Sequence, residues 1–230
     1  MAVEMSSRLS PIVLFWAILV TVALAIRPLL PVDETRYLAV AWEMWQRGDF
    51  LVPYLNGAPY SHKPPLLFWG VHAGWALFGV NDWSPRLVAP LFGLASLMLT
   101  GLLGRLLWPD MAAAGRAAPA ILLGALFWTL FTTMTMFDML HVCFTLSGLI
   151  GLVVASRGRA LRGFAVFGLS IGLGVLGKGP AILIHVLPVA LAAPLWAKPF
   201  GWAGGWGRWY AGIGAAVLGG AGIGLAWALP

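Results

Sequence analysis

Two adjacent carboxylates and an arginine, Asp33, Glu34 and Arg36, come directly after a long apolar run of the sequence. On a solvated loop such residues would need no explanation. Held against the face of a membrane, a carboxylate can act as a general base and an arginine can bind an anionic group. The first question is therefore whether the surrounding elements hold this stretch at a membrane surface.

Two lysines further along the chain suit the same chemistry. In "NGAPYSHKPP" (56–65), His62 and Lys63 precede two prolines that restrict the chain locally. A lysine held in this way suits a phosphate, although a lysine that extends to lipid headgroups would give the same pattern. Lys178, in "LGKGP", has glycines on both sides that allow a ligand to approach the backbone closely. We expect Lys178 to contact an anion.

A further carboxylate, Asp138, lies where two apolar runs meet. A carboxylate at membrane depth is costly and usually functional, although a satisfied interfacial carboxylate is the alternative. His141 follows at an i, i+3 spacing on the same helical face, so the two residues can help to hold a metal. A core or interfacial histidine is the favoured interpretation of His141. The isolated His72 and His185 are expected to be structural.

Composition indicates that these residues belong to an integral membrane protein. The chain of 230 residues is 60% hydrophobic and only 10% charged, whereas about 25% of the residues of a soluble domain are charged. The net charge of +6 does not indicate nucleic-acid binding, because the basic residues do not cluster and their spacing fits the positive-inside rule. A single cysteine, Cys143, excludes an internal disulfide and a cysteine-based zinc site.

Apolar runs long enough, or nearly long enough, to cross a membrane lie at 11–30, 64–80, 86–107, 117–137, 139–156, 163–177, 180–197 and 211–229. A crossing takes about 17 to 25 residues, and basic loops at 108–116 and 157–162 mark the inner side. The first run is interpreted as a retained anchor. A crossing at 64–80 would break the alternation of every later loop. We therefore predict about seven crossings, an interfacial or re-entrant segment at 64–80, and one outer loop over residues 31–85.

The stretch "RYLAVAWEMWQR" (36–47) predicts an amphipathic helix within this outer loop. One face carries the charged residues, the other carries Leu38, Trp42 and Trp45, and Gly48 is a typical helix stop. Such a helix lies on the membrane surface, which would hold Asp33 and Glu34 at the depth of the headgroups. The apolar runs on either side of Lys178 predict two half-helices that meet at an outer break.

The stretch "VDETRYLAVAWEMWQRGDFLVPYLNGAPYSHKPPLLFW" (32–69) resembles the first outer loop of the GT-C glycosyltransferases. This family includes the 4-amino-4-deoxy-L-arabinose lipid A transferases and the dolichyl-phosphate-mannose protein mannosyltransferases. Its pattern is an Asp-Glu-x-Arg-Tyr start, a Gly-Asp turn followed by an aromatic or aliphatic residue, and a Lys-Pro-Pro end. "FGVNDWSPRL" (78–87), Asp138 and "GKGP" (177–180) follow in family order, so the resemblance covers nearly the whole chain.

The resemblance implies an all-α, polytopic transmembrane helix bundle of the GT-C type. It also implies transfer of a sugar from a polyprenyl-phosphate carrier to a lipid A-like, protein or glycan acceptor, in a bacterial inner membrane with the active site facing the periplasm. By their positions in the motifs, Asp33 would be the catalytic carboxylate with Glu34 beside it, and Asp138 its second-loop counterpart. The residues implied to bind the carrier phosphate are Arg36, Tyr37, Lys63 and Lys178.

The sequence departs from the family in two respects. His62 stands where the lipid A transferases usually have a glutamate that looks like a metal ligand in some members, so His62 and His141 are the candidate ligands of a divalent metal. Family members also continue into further spans and an outer soluble domain, so residues 1–230 are expected to form the N-terminal part of the transmembrane domain. Two alternatives stay open: a non-enzymatic transporter or flippase of the same lipid carrier, and an inactive fragment.

Overall fold

The computed structural model describes residues 2–229, with side chains from residue 11 onward. The predicted all-α fold is confirmed, and one short hairpin, β1 (Tyr54–Leu55) with β2 (Ala58–Pro59), is antiparallel. A 3₁₀ turn at Pro85–Leu87 leads into α4. The helices are α1 (Ala2–Ile26), α2 (Asp33–Arg47), α3 (Leu66–Phe78), α4 (Val88–Leu107), α5 (Ala112–Leu123), α6 (Leu126–Thr132), α7 (Asp138–Ser156), α8 (Ala160–Lys178), α9 (Ala181–Leu191), α10 (Ala193–Trp196) and α11 (Trp206–Ala228).

Four helical segments among the described residues are long and apolar enough to cross a membrane: Pro85–Leu107, Asp138–Ser156, Ala160–Lys178 and Trp206–Ala228. Helices α5 and α6 together would make a fifth, although the chain bends by 67° between them. The protein is therefore a multi-pass membrane protein. The runs 11–30 and 180–197 contain shorter apolar helices, Pro11–Ile26 and Ala181–Leu191, so the count of seven crossings stays a prediction.

The run 64–80 forms α3, which is only 13 residues long. At 1.5 Å per residue such a helix measures about 20 Å, less than the hydrocarbon core of about 30 Å. This length suits the predicted interfacial or re-entrant segment. The side of the membrane on which residues 31–85 lie stays a prediction.

Helix α2 ends where the sequence predicts, because Gly48 takes a left-handed conformation with φ 67°. Its buried residues include Tyr37, Val40, Ala41 and Met44. Trp42 is partly exposed, and the rings of Trp42 and Trp45 contact the ring of Trp75 on α3, with centroids 6.0 and 5.8 Å apart. The contact of the predicted apolar face with a membrane surface stays a prediction. Between the same two helices, His72 Nε2 of α3 lies 2.9 Å from the carbonyl oxygen of Ala41. Burial lowers the pKa of His72, and this contact only partly opposes the effect. The contact fits the structural role expected for His72.

Helices α7 and α8 pack closely along their lengths as an antiparallel hairpin. A Cβ atom at Gly163 would lie 2.3 Å from the Ala155 nitrogen, so only glycine permits this approach. The pairing brings Asp138, the first residue of α7, and Lys178, the last residue of α8, to the same end. Helix α8 is unbroken over 19 residues, so the half-helix predicted before Lys178 is wrong.

The main core joins α2 and α3 to the membrane-spanning helices through aromatic side chains. The ring of Phe137 lies 5.0 Å from that of Tyr37 and 5.7 Å from that of Phe68, measured between centroids, with edge-to-face geometry at both. Both distances are typical of favourable aromatic pairs. Because Phe137 directly precedes Asp138, this packing fixes the start of α7 against the 31–85 segment.

Candidate functional site

A cavity of about 420 Å³ lies where the start of α2 and the 56–65 segment meet the ends of α7 and α8. A volume of this size suits a small-molecule ligand. Its polar lining residues are Asp33, Arg36, Tyr37, Tyr60, His62, Lys63, Asp138 and Lys178. Its apolar lining residues are Phe131, Met136 and Phe137. The structure thus brings into one place most of the site residues that the sequence predicts, from stretches far apart in the chain.

Asp33 and Arg36 occupy the first turn of α2. The positive end of the helix dipole favours a carboxylate there. Arg36 Nη2 donates a hydrogen bond to Asp33 Oδ1, and the Tyr37 hydroxyl lies 3.4 Å from the same oxygen. The Asp33 side chain is 49% exposed. Asp33 is therefore held at the cavity wall and stays accessible to a ligand.

Asp138 and Lys178 form the second ion pair of the cavity, with Lys178 Nζ 2.6 Å from Asp138 Oδ1. Their side chains are 29% and 33% exposed, respectively. Both charges also interact favourably with the helix dipoles, because Asp138 is the first residue of α7 and Lys178 is the last residue of α8. The ion pair thus has a fixed position, and both side chains are exposed enough for a ligand to replace one partner.

Lys63 is the cavity cation that has no carboxylate partner within ion-pair distance among the described residues. Its Nζ atom lies 5.5 Å from the centroid of the Phe137 ring, a weak cation–π contact. Next to it, the rings of Tyr60 and His62 stack with centroids 5.3 Å apart. Burial raises the pKa of Tyr60 and that of Tyr37, so both phenols stay protonated. Lys63 therefore offers a positive charge to an incoming anion.

Glu34 does not line the cavity, so its predicted place beside Asp33 in the active site is corrected. The side chain is 1% exposed and forms an ion pair with Arg27. Its two oxygens also accept hydrogen bonds from the backbone N–H groups of Leu30, at 2.9 Å, and Thr135, at 2.6 Å. Burial would raise the pKa of Glu34, but these donors outweigh it and the pKa is lowered overall. Glu34 is therefore an ionised carboxylate inside the protein.

The predicted metal ligands do not come together. No group of three His, Cys, Asp or Glu side chains in the described part of the chain is arranged to hold an ion. His62 lies in the cavity and stacks on Tyr60, while His141 lies outside it, with Nε2 3.2 Å from His185 Nδ1. The two cavity carboxylates are each paired with a cation. This donor set does not fit a divalent ion held by protein side chains.

The sequence alone did not single out several residues that shape the site. Tyr60 and Phe137 line the cavity, and Arg27 and Arg86 bind the backbone beneath it. The signal for Tyr60 was its place in "APYSHKPP". Arg27 was detectable only as a charge close to the end of the first apolar run. Nothing in the sequence marked Phe137 beyond its position before Asp138.

Curated relatives with similar sequences are arabinosyl transferases. The undecaprenyl phosphate-alpha-4-amino-4-deoxy-L-arabinose arabinosyl transferase 2 of Pseudomonas fluorescens is 32% identical over 232 residues, covering 93% of this chain and 38% of that protein. The corresponding transferase of Pectobacterium carotovorum is 32% identical over 189 residues, covering 79% of this chain and 34% of that protein. The chain thus spans less than two fifths of the length of these relatives.

A solved structure and a family model agree with this likeness. The crystal structure of ArnT from Cupriavidus metallidurans bound to undecaprenyl phosphate superposes with a TM-score of 0.76 at 24% identity, covering 96% of this chain and 41% of that one. This likeness shows that the two chains share a fold. The model of the dolichyl-phosphate-mannose-protein mannosyltransferase family matches residues 62–223, well over half of the chain. The chain therefore belongs to the dolichyl-phosphate-mannose-protein mannosyltransferase family of GT-C membrane glycosyltransferases.

Proposed function

We propose that the protein takes part in transferring a sugar from an undecaprenyl phosphate-linked donor to a lipid A-like, protein or glycan acceptor. The reaction takes place at the outer face of a bacterial inner membrane. The observation that carries this proposal is the cavity in which the cations Arg36, Lys63 and Lys178 meet the carboxylates Asp33 and Asp138. The likeness to the undecaprenyl phosphate-alpha-4-amino-4-deoxy-L-arabinose arabinosyl transferases and to ArnT bound to undecaprenyl phosphate supports the choice of carrier.

The three cations suit a phosphate that carries a lipid on one side and a sugar on the other. The guanidinium of Arg36 can contact two phosphate oxygens, whereas Lys63 and Lys178 act as point charges. They come from three separate segments, so their charges surround one volume of space instead of lining a single helix face. The neighbouring Tyr37 and Tyr60 hydroxyls can donate further hydrogen bonds.

Phosphate binding would rearrange the ion pairs of the cavity. Arg36 is paired with Asp33, and Lys178 with Asp138. An arriving phosphate competes with these carboxylates for the same cations. A carboxylate that loses its cation binds a proton more readily, because an opposite charge nearby favours the ionised form. Binding of the carrier phosphate thus frees a carboxylate from its cation, and that carboxylate can then act as a base.

The transfer itself needs one base and one stabilised leaving group. The acceptor oxygen forms a bond to the anomeric carbon of the sugar, and the bond from that carbon to the phosphate oxygen breaks. The electron pair leaves with undecaprenyl phosphate, whose growing negative charge is stabilised by Arg36, Lys63 and Lys178. The proton of the acceptor hydroxyl passes to Asp33. Asp138 orients the acceptor or shares the proton.

Exposed aromatic side chains in the 31–85 segment support a position at the membrane surface. Trp42, Phe50 and Trp83 are each more than two fifths exposed, and all lie in the 31–85 segment. Tryptophan is enriched at membrane–water interfaces. A cavity at the membrane–water interface lies at the same depth as the phosphate of a polyprenyl carrier.

The test is direct binding of the carrier to the purified protein in lipid nanodiscs. Undecaprenyl phosphate is titrated and followed by native mass spectrometry, with undecaprenol and inorganic phosphate as separate probes. We expect saturable binding of undecaprenyl phosphate and much weaker binding of the other two. Lys63→Ala should weaken the binding, whereas Lys198→Ala, which removes an exposed lysine far along the chain, should not.

Three results would overturn the proposal, and the last is equal binding of undecaprenol. One is the absence of saturable binding by the wild-type protein. Another is an affinity for undecaprenyl phosphate that is the same in the wild type and in Lys63→Ala. Equal binding of undecaprenol would show that the lipid chain, and not the phosphate, is recognised.

A further inference from the structure

Glu34 and Arg27 form a buried ion pair beneath the cavity that the proposed chemistry does not use. Arg27 Nη2 lies 3.0 Å from Glu34 Oε1, and the second nitrogen of the guanidinium contacts Oε2. The Glu34 side chain is 1% exposed and that of Arg27 is 20% exposed. A buried pair of this kind rarely adds stability over an apolar pair, so its presence calls for another explanation.

Both members of the pair bind the short segment that leads into α7. Arg27 Nη2 donates a hydrogen bond to the carbonyl oxygen of Thr133 at 2.6 Å. Glu34 Oε1 accepts a hydrogen bond from the backbone N–H of Thr135 at 2.6 Å. The ion pair therefore holds the 133–137 segment through the carbonyl oxygen of Thr133 and the backbone N–H of Thr135. Asp138 follows at its end.

The same pair is anchored on its other side. Glu34 Oε2 accepts the backbone N–H of Leu30, which ties the start of α2 to the linker before it. Arg86 donates hydrogen bonds to the carbonyl oxygens of Ala23, Leu24 and Arg27, at 3.0, 3.1 and 2.6 Å. Arg86 thus binds the C-terminal end of α1, where helix carbonyl groups are short of backbone partners. The ion pair is thus held by the end of α1 and the turn before α4.

We propose that Glu34 and Arg27 are positioning residues that set the separation between the two cavity carboxylates. Glu34 is the chain neighbour of Asp33, so a displacement of Glu34 moves Asp33 with it. The hydrogen bond to Thr135 transmits the same displacement to Asp138. The catalytic meaning of this separation rests on the proposed function, but the separation itself is a property of the protein without a ligand.

An ion pair suits this task better than an apolar contact. The carboxylate accepts backbone donors in defined directions, and the guanidinium presents its donors in a rigid plane. Apolar side chains would fill the same volume without fixing the register of the 133–137 backbone. A misplacement of reacting groups by about 1 Å can cost about a hundredfold in rate, so such a device has a clear use next to a catalytic pair.

The test measures distances in the protein without a ligand. Spin labels are placed at Ala39→Cys on α2 and Leu130→Cys on α6, both exposed, in a Cys143→Ala background. Electron–electron double resonance should give one narrow distance distribution in the otherwise wild-type protein. In Glu34→Ala we expect a clearly broader distribution. The control Glu43→Ala removes an ion pair with Arg47 from the same helix, outside the cavity, and should leave the distribution narrow.

A conservative variant separates positioning from general destabilisation. Glu34→Gln keeps the volume and one acceptor oxygen, so its distribution should lie between those of the wild type and Glu34→Ala. It also serves as the test if Glu34→Ala does not yield folded protein. A distribution in either variant that is as narrow as in the wild type would overturn the inference. A broadened distribution supports it even if the wild type fails to bind undecaprenyl phosphate, which would refute the proposed function alone.

Discussion

Lys178 Nζ lies 2.6 Å from Asp138 Oδ1, although the two residues are 40 positions apart in the chain. The contact exists because α7 and α8 are antiparallel and of equal length, so the start of one meets the end of the other. Each charge also opposes the helix dipole at its own position. The pair therefore forms without a ligand, and a phosphate that binds Lys178 must compete with Asp138.

This competition gives two substitutions opposite effects on carrier binding. Lys178→Met removes a charged hydrogen-bond donor worth about 1.5–3 kcal/mol, so the affinity for undecaprenyl phosphate should fall by about tenfold to a hundredfold. Asp138→Asn removes the competitor and should raise the affinity. Titration of each variant in nanodiscs measures both effects, with Lys198→Met as the control. Equal losses in both variants would instead mean that the pair is required as a unit.

Asp33 is expected to carry the main base function. Asp33→Asn keeps the size of the side chain and removes its charge, so it should lower the rate of sugar transfer by about a hundredfold to ten-thousandfold. Expression and membrane insertion should be unchanged. The assay follows transfer by the full-length gene product at matched protein level. Asp82→Asn, which removes an exposed carboxylate of the same 31–85 segment, is the control. Normal transfer by Asp33→Asn would end its assignment as the base.

The topology of the 31–85 segment can be tested by chemical labelling. Cysteines introduced at Gly57 and Asp82, in a Cys143→Ala background, should both react with an impermeant thiol reagent added outside intact cells. A cysteine at Asp110, in the predicted inner loop, should react only after permeabilisation. Positions 57 and 82 are expected on the same side because α3, which lies between them, is too short for a full crossing. Protection of position 82 alone would show that 64–80 crosses the membrane.

The ion pair of Glu34 predicts a loss of stability in acid. The pKa of Glu34 is lowered from its ordinary value of 4.5, so the folded state binds the proton less readily than the unfolded state. The stabilisation is therefore fully present above pH 4.5 and is lost as the pH falls through the lower folded value. The melting temperature of the wild type in detergent should fall more steeply below that pH than that of Glu34→Gln. Parallel curves for the two proteins would contradict this.

The charged residues of the cavity could be predicted because each belongs to a short stretch with an unusual local composition. Asp33 and Arg36 follow an apolar run, Lys63 precedes two prolines, and Lys178 has glycines on both sides. Local rules also predicted the end of α2 at Gly48, because a left-handed conformation favours glycine. The different fates of Asp33 and Glu34 could not be predicted in this way. Adjacent helical positions point about 100° apart, and only the packing of α1 and the 133–137 segment decides which carboxylate is buried.

The sequence by itself determined the membrane class, the helical fold and the candidate charges, since these follow from hydropathy and from motifs read within a few residues. Only the tertiary structure decided which charges meet. The pairing of Lys178 with Asp138 depends on the register of two long helices, which pack closely at contacts such as that of Gly163 with Ala155. The burial of Glu34 depends on Arg27 and on the amide of Thr135, which is 101 positions away. Both contacts join distant parts of the chain through complementary shape and directed hydrogen bonds. A local sequence pattern encodes neither of these two features.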